Sequence, residues 1–165
     1  MERTGEDASS DFSWMFREEY PAVVRTAYLI LGDRAAAEDV AQEAFIRLYA
    51  RWAKISQYER PGAWVRRVAI RLAGKAKRAR RVAFALSEER VAGQVVPSDP
   101  DLQRALLALP PSQRAAVVLH YLEGRPVAEV ASIIGCATAT AKVHLHRARK
   151  RLGALLGEET ADVVG

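Results

Sequence analysis

The sequence predicts an all-α protein of two small helical domains, joined by a flexible linker. Three observations carry that prediction. Leu, Ala, Val and Arg dominate, while Gly and Pro supply only 10 and 7 of the 165 residues, a balance that favours helix. Apolar residues recur at three- to four-residue intervals, and alternating β-branched runs are absent. The periodicity then fades from Val82 to Asp101, where Gly93, Pro97, Ser98, Asp99 and Pro100 gather in a linker-like stretch.

The elements follow in order. Residues 1–10 are polar and are expected to form a disordered tail. From Asp11, the positions Phe12, Phe16, Tyr20, Val23, Ala27 and Leu31 have helical spacing; Gly32 ends that helix and Asp33 can cap the next. The second helix carries Val40, Ala44, Leu48 and Trp52 on its buried stripe. The period fails from Ile55 to Arg60, which reads as a loop. Pro61 suits the first turn of a third helix with the stripe Val65, Val68, Ala69, Leu72 and Ala76. Residues 11–81 thus make one domain. Periodicity resumes at Leu102, Leu106 and Leu109. Pro110 and Pro111 interrupt it, and Ser112 can cap a helix running to Glu123. Gly124 stops that helix, Pro126 starts another over Val127 to Ile134, and Gly135 breaks the chain again. A long helix from Thr138 to Leu156 closes the second domain, 102–156, before a tail at 157–165.

The net charge of +5 says less than its distribution. From Met1 to Phe45 acids outnumber bases ten to four, whereas Arg60 to Arg81 holds nine Lys or Arg and no acid. A second acid-free stretch carries Lys142, Arg147, Arg149, Lys150 and Arg151. Such segregation points to one surface for a polyanion and another for a protein partner. The lone Cys136 excludes an intramolecular disulfide framework and a multi-cysteine metal site, and reads as a core residue. His144 and His146 project from different helical faces, which disfavours metal ligation. No apolar run approaches the roughly 20 residues needed to span a bilayer, and the acidic N-terminus lacks the parts of a signal peptide. A cytoplasmic chain without direct membrane insertion is expected, with no cofactor.

The segment Val127 to Arg147 has the layout of a helix-turn-helix. Ala131 is small where two helices must cross closely, Gly135 sits at the turn, and Val130, Ile134, Cys136, Ala141 and Leu145 are apolar. In the last helix Ala141, Leu145, Ala148, Leu152 and Leu155 form the buried stripe. Lys142, His146 and Arg149 fall opposite it, flanked by Arg147 and Lys150, a row of donors suited to phosphates and base edges in a major groove. The competing reading is a basic, solvated face on a terminal helix.

Three stretches together resemble the extracytoplasmic-function sigma factors: GDRAAAEDVAQEAFIRLY from Gly32, RPGAWVRRVAIRLAGKAKRARR from Arg60, and LPPSQRAAVVLHYLEGRPVAEVASIIGCATATAKVHLHRARKRL from Leu109. The likeness covers most of the chain outside the tails and linker, and the Val-Arg-Arg run after Trp64 looks like actinobacterial members. The resemblance implies that residues 11–81 are region 2, which binds the β′ clamp coiled coil of core RNA polymerase and opens the −10 element. It implies that residues 102–156 are region 4, which binds the β-flap and reads the −35 element of promoter DNA. Many relatives are also held by an anti-sigma factor.

Residue by residue, Asp39, Gln42 and Glu43 occupy the family's polymerase-contact positions. Their spacing of three and four also places them on one helix face, which Arg47 extends by a turn. The loop from Ile55 to Gly62 and the following helix match the element that captures an unstacked −10 base, whose extrusion costs a few kcal/mol. Trp64 reads as a stacking wedge or a core aromatic. Arg67, Arg71, Lys75 and Arg78 form a basic ridge suited to a phosphate backbone, broadened by Arg66 and Lys77. Thr140, Lys142, Val143, His146, Arg147 and Arg149 match positions that face −35 DNA in relatives. Arg71 and Lys75 stand where many members carry Asn and Asp. Ala137 replaces a usual capping Ser, leaving Thr138 to cap one residue later, and Ala139, Val143 and His144 replace Gly, Ser and Arg. No promoter consensus is carried over.

Two other classes compete. A stand-alone helix-turn-helix regulator explains the C-terminal half equally well, but leaves the acidic face at Asp39 and the ridge at Arg67 without purpose. An enzyme has no support from any nucleophile–base–acid set, phosphate loop or metal spacing. Glu88, Glu89, Asp99 and Asp101 look like solvated charge in the linker.

Overall fold

Apolar stripes at helical spacing can only be buried against one another, and in the computed structural model eight α-helices do so, with no strand among the described residues. The structure describes residues 5–84 and 99–157, with side chains from 5–80 and 99–157. The helices are α1 (Gly5–Leu31), α2 (Arg34–Ala50), α3 (Trp52–Ile55), α4 (Pro61–Phe84), α5 (Pro100–Leu107), α6 (Pro111–Val117), α7 (Val127–Ile134) and α8 (Thr138–Leu156). A π-helical turn, Val118–Leu122, continues α6.

In the first half, α1, α2 and α4 pack on one another. Alanines make this close approach feasible: Ala37, Ala41 and Ala44 of α2 and Ala73 of α4 are fully buried beside Ile30, Leu48, Val65 and Ile70. An aromatic seam ties α1 to α2. Phe16 and Tyr20 meet Phe45 edge-on at centroid separations of 5.0 and 5.6 Å, and Phe12 meets Tyr49 and Trp52 at 5.0 and 5.5 Å. Pro21 lies inside α1 at an exposed position and leaves the Arg17 carbonyl without its usual backbone donor. Gly32 adopts a left-handed φ of 71° to end α1. Asp33 then caps α2: its Oδ1 accepts from Ala36 N–H at 3.0 Å, and its Oδ2 accepts from Arg80 of α4 at 2.6 Å.

Several boundaries differ from the sequence reading. Gly5 to Ser10 are not a disordered tail but the opening turns of α1, anchored where the Ala8 carbonyl accepts from Trp52 Nε1 at 3.0 Å. Trp52 belongs to α3 rather than to the stripe of α2, and only Ser56 to Arg60 remain a loop before α4. The expected linker, 82–101, is shorter at both ends. Helix α4 continues to Phe84, and Asp99 caps α5 by accepting from the backbone N–H of Asp101 and Leu102 at 3.0 and 3.2 Å; residues 85–98 lie outside the described ones. Ser112 does not cap α6: the N-cap is Pro110, Ser112 lies inside the helix, and its hydroxyl accepts from Lys77. Thr138 does not cap α8 either. Ala137 holds the N-cap position with no side-chain bond.

In the second half α6, α7 and α8 share a core of Val117, Leu119, Val130, Ile134, Leu145 and Leu152. Ala131 is 2% exposed, as the close helix crossing requires, and Gly135 takes φ 78° at the turn into α8. Cys136 is half-buried against this core. The two halves also touch: α1 packs on α6, and α4 packs on α7.

Candidate nucleic-acid and partner interfaces

Burial of one stripe on α2 dictates what the opposite side can present. Asp39, Gln42, Glu43 and Arg47 all stand exposed there. Arg47 is not a separate cation, since its Nε donates to Glu43 Oε1 at 2.9 Å. Both side chains are about half exposed, so the pair contributes roughly 0.3–0.5 kcal/mol and is easily exchanged for other contacts. Two residues missed in the sequence share this side: Ile46 and Tyr49 are 63% and 67% exposed. The available signal was their position, just off the buried set Ala37, Val40, Ala41, Ala44, Phe45 and Leu48. Large apolar side chains held outward beside carboxylates make an amphipathic docking strip.

On α4 the expected ridge divides. Arg67, Arg71 and Lys75 are exposed and make no ion pair or side-chain hydrogen bond with the described residues. Trp64 is half-buried and packs against the core, which favours the core aromatic over the wedge. Arg66 is turned towards α1, where Glu19 Oε2 accepts from its Nε at 3.0 Å. Lys77 does not broaden the ridge: it is 6% exposed and donates to Ser112 Oγ at 3.2 Å. Arg78 is engaged too, its Nη1 donating to the carbonyls of Ile133 at 2.7 Å and Ser132 at 3.3 Å. Lys77 looks like ridge in the sequence because α4 alone would leave it in water; Arg78 stays exposed, with its donors engaged.

On α8 the residues Ala141, Leu145, Ala148 and Leu152 are buried, which turns Thr140, Lys142, Val143, His146 and Arg147 outward. Arg149 is half-buried, and its Nη1 donates to the Tyr121 hydroxyl at 2.6 Å. Tyr121 sits in the π-helical turn with its ring edge-on to His120, whose Nδ1 lies 2.8 Å from the Arg125 carbonyl. Sequence reasoning missed Tyr121 because the period there was read as plain α-helix. A π-turn inserts one residue per turn and rotates the side chains that follow.

The carboxyl of Asp33 is held below the ordinary carboxylate range, chiefly by the Ala36 N–H and then by Arg80. Burial pushes the Arg114 guanidinium below its ordinary value, opposed by the nearby Tyr28. Among the described residues no helix is long and apolar enough to cross a membrane.

Two family models match this geometry in chain order. Sigma-70 region 2 matches residues 15–82 and sigma-70 region 4 matches residues 100–152. The chain is 33% identical over 148 residues to the RNA polymerase sigma-E factor of Streptomyces avermitilis, covering 86% of this chain and 83% of that one. It is 32% identical over 182 residues to the ECF RNA polymerase sigma factor SigE of Mycolicibacterium smegmatis, covering 98% of this chain and 68% of that one. Among solved structures it is similar to the sigma factor RpoE of Bartonella quintana, seen in complex with the anti-sigma factor NepR. There the identity is 27% and the TM-score 0.58, over 88% of this chain and 96% of that chain. With both regions matched in chain order and a relative 33% identical over most of both chains, the chain belongs to the extracytoplasmic-function sigma factors of the sigma-70 family, proteins of transcription initiation.

Proposed function

We propose that this chain binds core RNA polymerase and directs it to promoters by contacts to the −10 and −35 elements. The carrying observation is the exposure of three chemically different faces on three helices. The strip of Asp39, Gln42, Glu43, Ile46 and Tyr49 on α2 suits a helical protein partner with basic and apolar residues, which on this reading is the β′ clamp coiled coil. The cations Arg67, Arg71 and Lys75 on α4 suit the backbone of a strand whose −10 base has been extruded. Thr140, Lys142, Val143, His146 and Arg147 on α8, with Arg149 at its far end, suit a −35 major groove.

Two weak DNA modules gain affinity when one scaffold holds both, because the second contact becomes intramolecular. The β-flap would hold the second half at the distance that the promoter sets. Melting then needs no ATP, since binding energy offsets the cost of unstacking a few bases. An anti-sigma factor is a further partner on this reading, in keeping with the complex formed by the Bartonella relative.

The direct test is run-off transcription with purified core polymerase, together with the charge reversals Asp39→Lys and Glu43→Lys. The wild-type chain is expected to form a stable complex with core and give a promoter-specific transcript. The reversals should abolish both while leaving the helical circular dichroism intact, because neither carboxylate is buried. Unchanged association of the doubly reversed chain with core polymerase would refute the assignment of α2.

A further inference from the structure

The charged side chains of α8 do not hold the middle of its outward face near the N-terminus. A rotation of about 100° per residue places Val143 roughly 170° from the mean direction of the buried Ala141, Leu145, Ala148 and Leu152, so it stands straight out from the core. Ala139 lies one turn earlier on nearly the same line and is also exposed. Lys142 and His146 flank that line on one side, Thr140 and Arg147 on the other, and all four are exposed. Val143 is 45% exposed, and its side chain has neither donor nor acceptor. A single exposed apolar residue is ordinary. One centred between two rows of hydrogen-bonding groups, in the second turn of the helix, decides what that turn can meet. The N-cap of α8, Ala137, makes no side-chain bond to the first N–H groups, and a backbone phosphate can supply one, holding this end of the helix at the groove.

Resting on the reading of α8 as the −35 surface, we propose that Val143, with Ala139 widening its apolar patch, is a specificity-determining residue that selects the 5-methyl group of a thymine in the −35 element. The major-groove edges of the base pairs offer nitrogen and oxygen donors and acceptors, and the thymine methyl is the one apolar group among them. A valine set against a guanine or adenine edge, or against the cytosine amine, takes a polar group out of water and returns no hydrogen bond. Set against the methyl, both partners leave water at no such cost. The flanking Lys142, His146 and Arg147 are then free to reach phosphates and purine edges to either side. The polar groups position the helix, and the apolar centre chooses the base pair beneath it.

The test assembles the full chain with core polymerase and selects bound duplexes from a pool randomised across the upstream promoter element. Wild type and Val143→Ser are selected side by side; Val143 is exposed, so serine there leaves the helical circular dichroism intact. Wild type should enrich a thymine at a position where Val143→Ser no longer prefers one. Each thymine of the enriched motif is then replaced in turn by deoxyuridine, which lacks only the methyl. At one of them wild type should lose affinity about fourfold by fluorescence anisotropy, the effect of one methyl-sized group returned to water. Val143→Ser should lose less than about 1.5-fold for the same replacement, which couples the methyl to the side chain. The salt slope should be equal for the thymine and deoxyuridine duplexes, because no phosphate contact changes. If wild type binds every deoxyuridine duplex as tightly as its thymine parent, the proposal is overturned, and that arm needs no variant. Equal methyl dependence in wild type and Val143→Ser would overturn the assignment to Val143. Either result, with a motif still enriched, leaves α8 as the −35 surface. A holoenzyme that enriches no sequence overturns the proposed function and this inference with it.

Discussion

Asp33 is where the first half is most open to a quantitative test, because one carboxylate performs two separable tasks. Its Oδ1 caps α2 through the Ala36 N–H, and its Oδ2 accepts from Arg80 Nη2 of α4. Replacing a capping Asp by Ala costs about 1 kcal/mol. The Arg80 partner is 45% exposed, so solvent screening limits the pair to roughly 0.5 kcal/mol. Asp33→Ala should therefore destabilise by about 1.5 kcal/mol, which for a chain of this size lowers Tm by roughly 3–6 °C. Asp33→Asn keeps a capping oxygen and should lose only the ionic part. The pH dependence fixes the sign. The folded-state pKa lies below the ordinary aspartate value of 3.8, so the ionised group contributes stability that is fully present above 3.8. That contribution disappears as pH falls through the lowered value, and the gap between wild type and Asp33→Asn should close there. The assay is urea unfolding followed by circular dichroism across pH, with Arg80→Ala completing a double-mutant cycle. The reasoning fails if Asp33→Ala costs less than about 0.5 kcal/mol, below the usual range for losing a cap. It also fails if Arg80→Ala is as damaging without Asp33 as with it.

Two further outcomes concern α8. Lys142→Ala and Arg147→Ala should each reduce the salt slope of −35 duplex binding by holoenzyme by about one, measured by fluorescence anisotropy, because each removes one phosphate-range cation. An unchanged slope in both would take α8 out of the DNA interface. Tyr121→Phe removes the hydroxyl that accepts from Arg149 and should weaken the same binding by roughly two- to fivefold, the effect of one hydrogen bond worth about 0.5–1 kcal/mol. The double variant with Arg149→Ala should lose no more than Arg149→Ala alone; full additivity would mean that the contact does not orient Arg149.

Local physics was legible in the residues themselves. The stripes of α1, α2, α4 and α8 (except Trp52, which lies beyond α2, and Leu155, which is exposed), the ends at Gly32 and Gly135 and the cap at Asp33 follow from a 3.6-residue period and from what each backbone position tolerates. The same period located Asp39, Gln42 and Glu43 on one face and Lys142 and His146 on another, because a residue that cannot face its own core must face outward. The tail at Gly5–Ser10 and the caps expected at Ser112 and Thr138 were misread, since a polar side chain near a helix start can find its partner elsewhere. Ser112 finds Lys77, 35 residues earlier.

What the tertiary structure alone decided is which outward cations already have a partner. Arg71 and Arg78 both lie on the polar side of α4 and both are exposed, yet only Arg78 has donors engaged, by carbonyls 54 and 55 residues further along. Amphipathic period reports the orientation of a side chain relative to its own helix and immediate core. It carries no information on contacts made by a surface folded from a distant part of the chain. The contact of Tyr121 in the π-turn with Arg149 belongs to the same class, because it joins residues 28 apart in the chain.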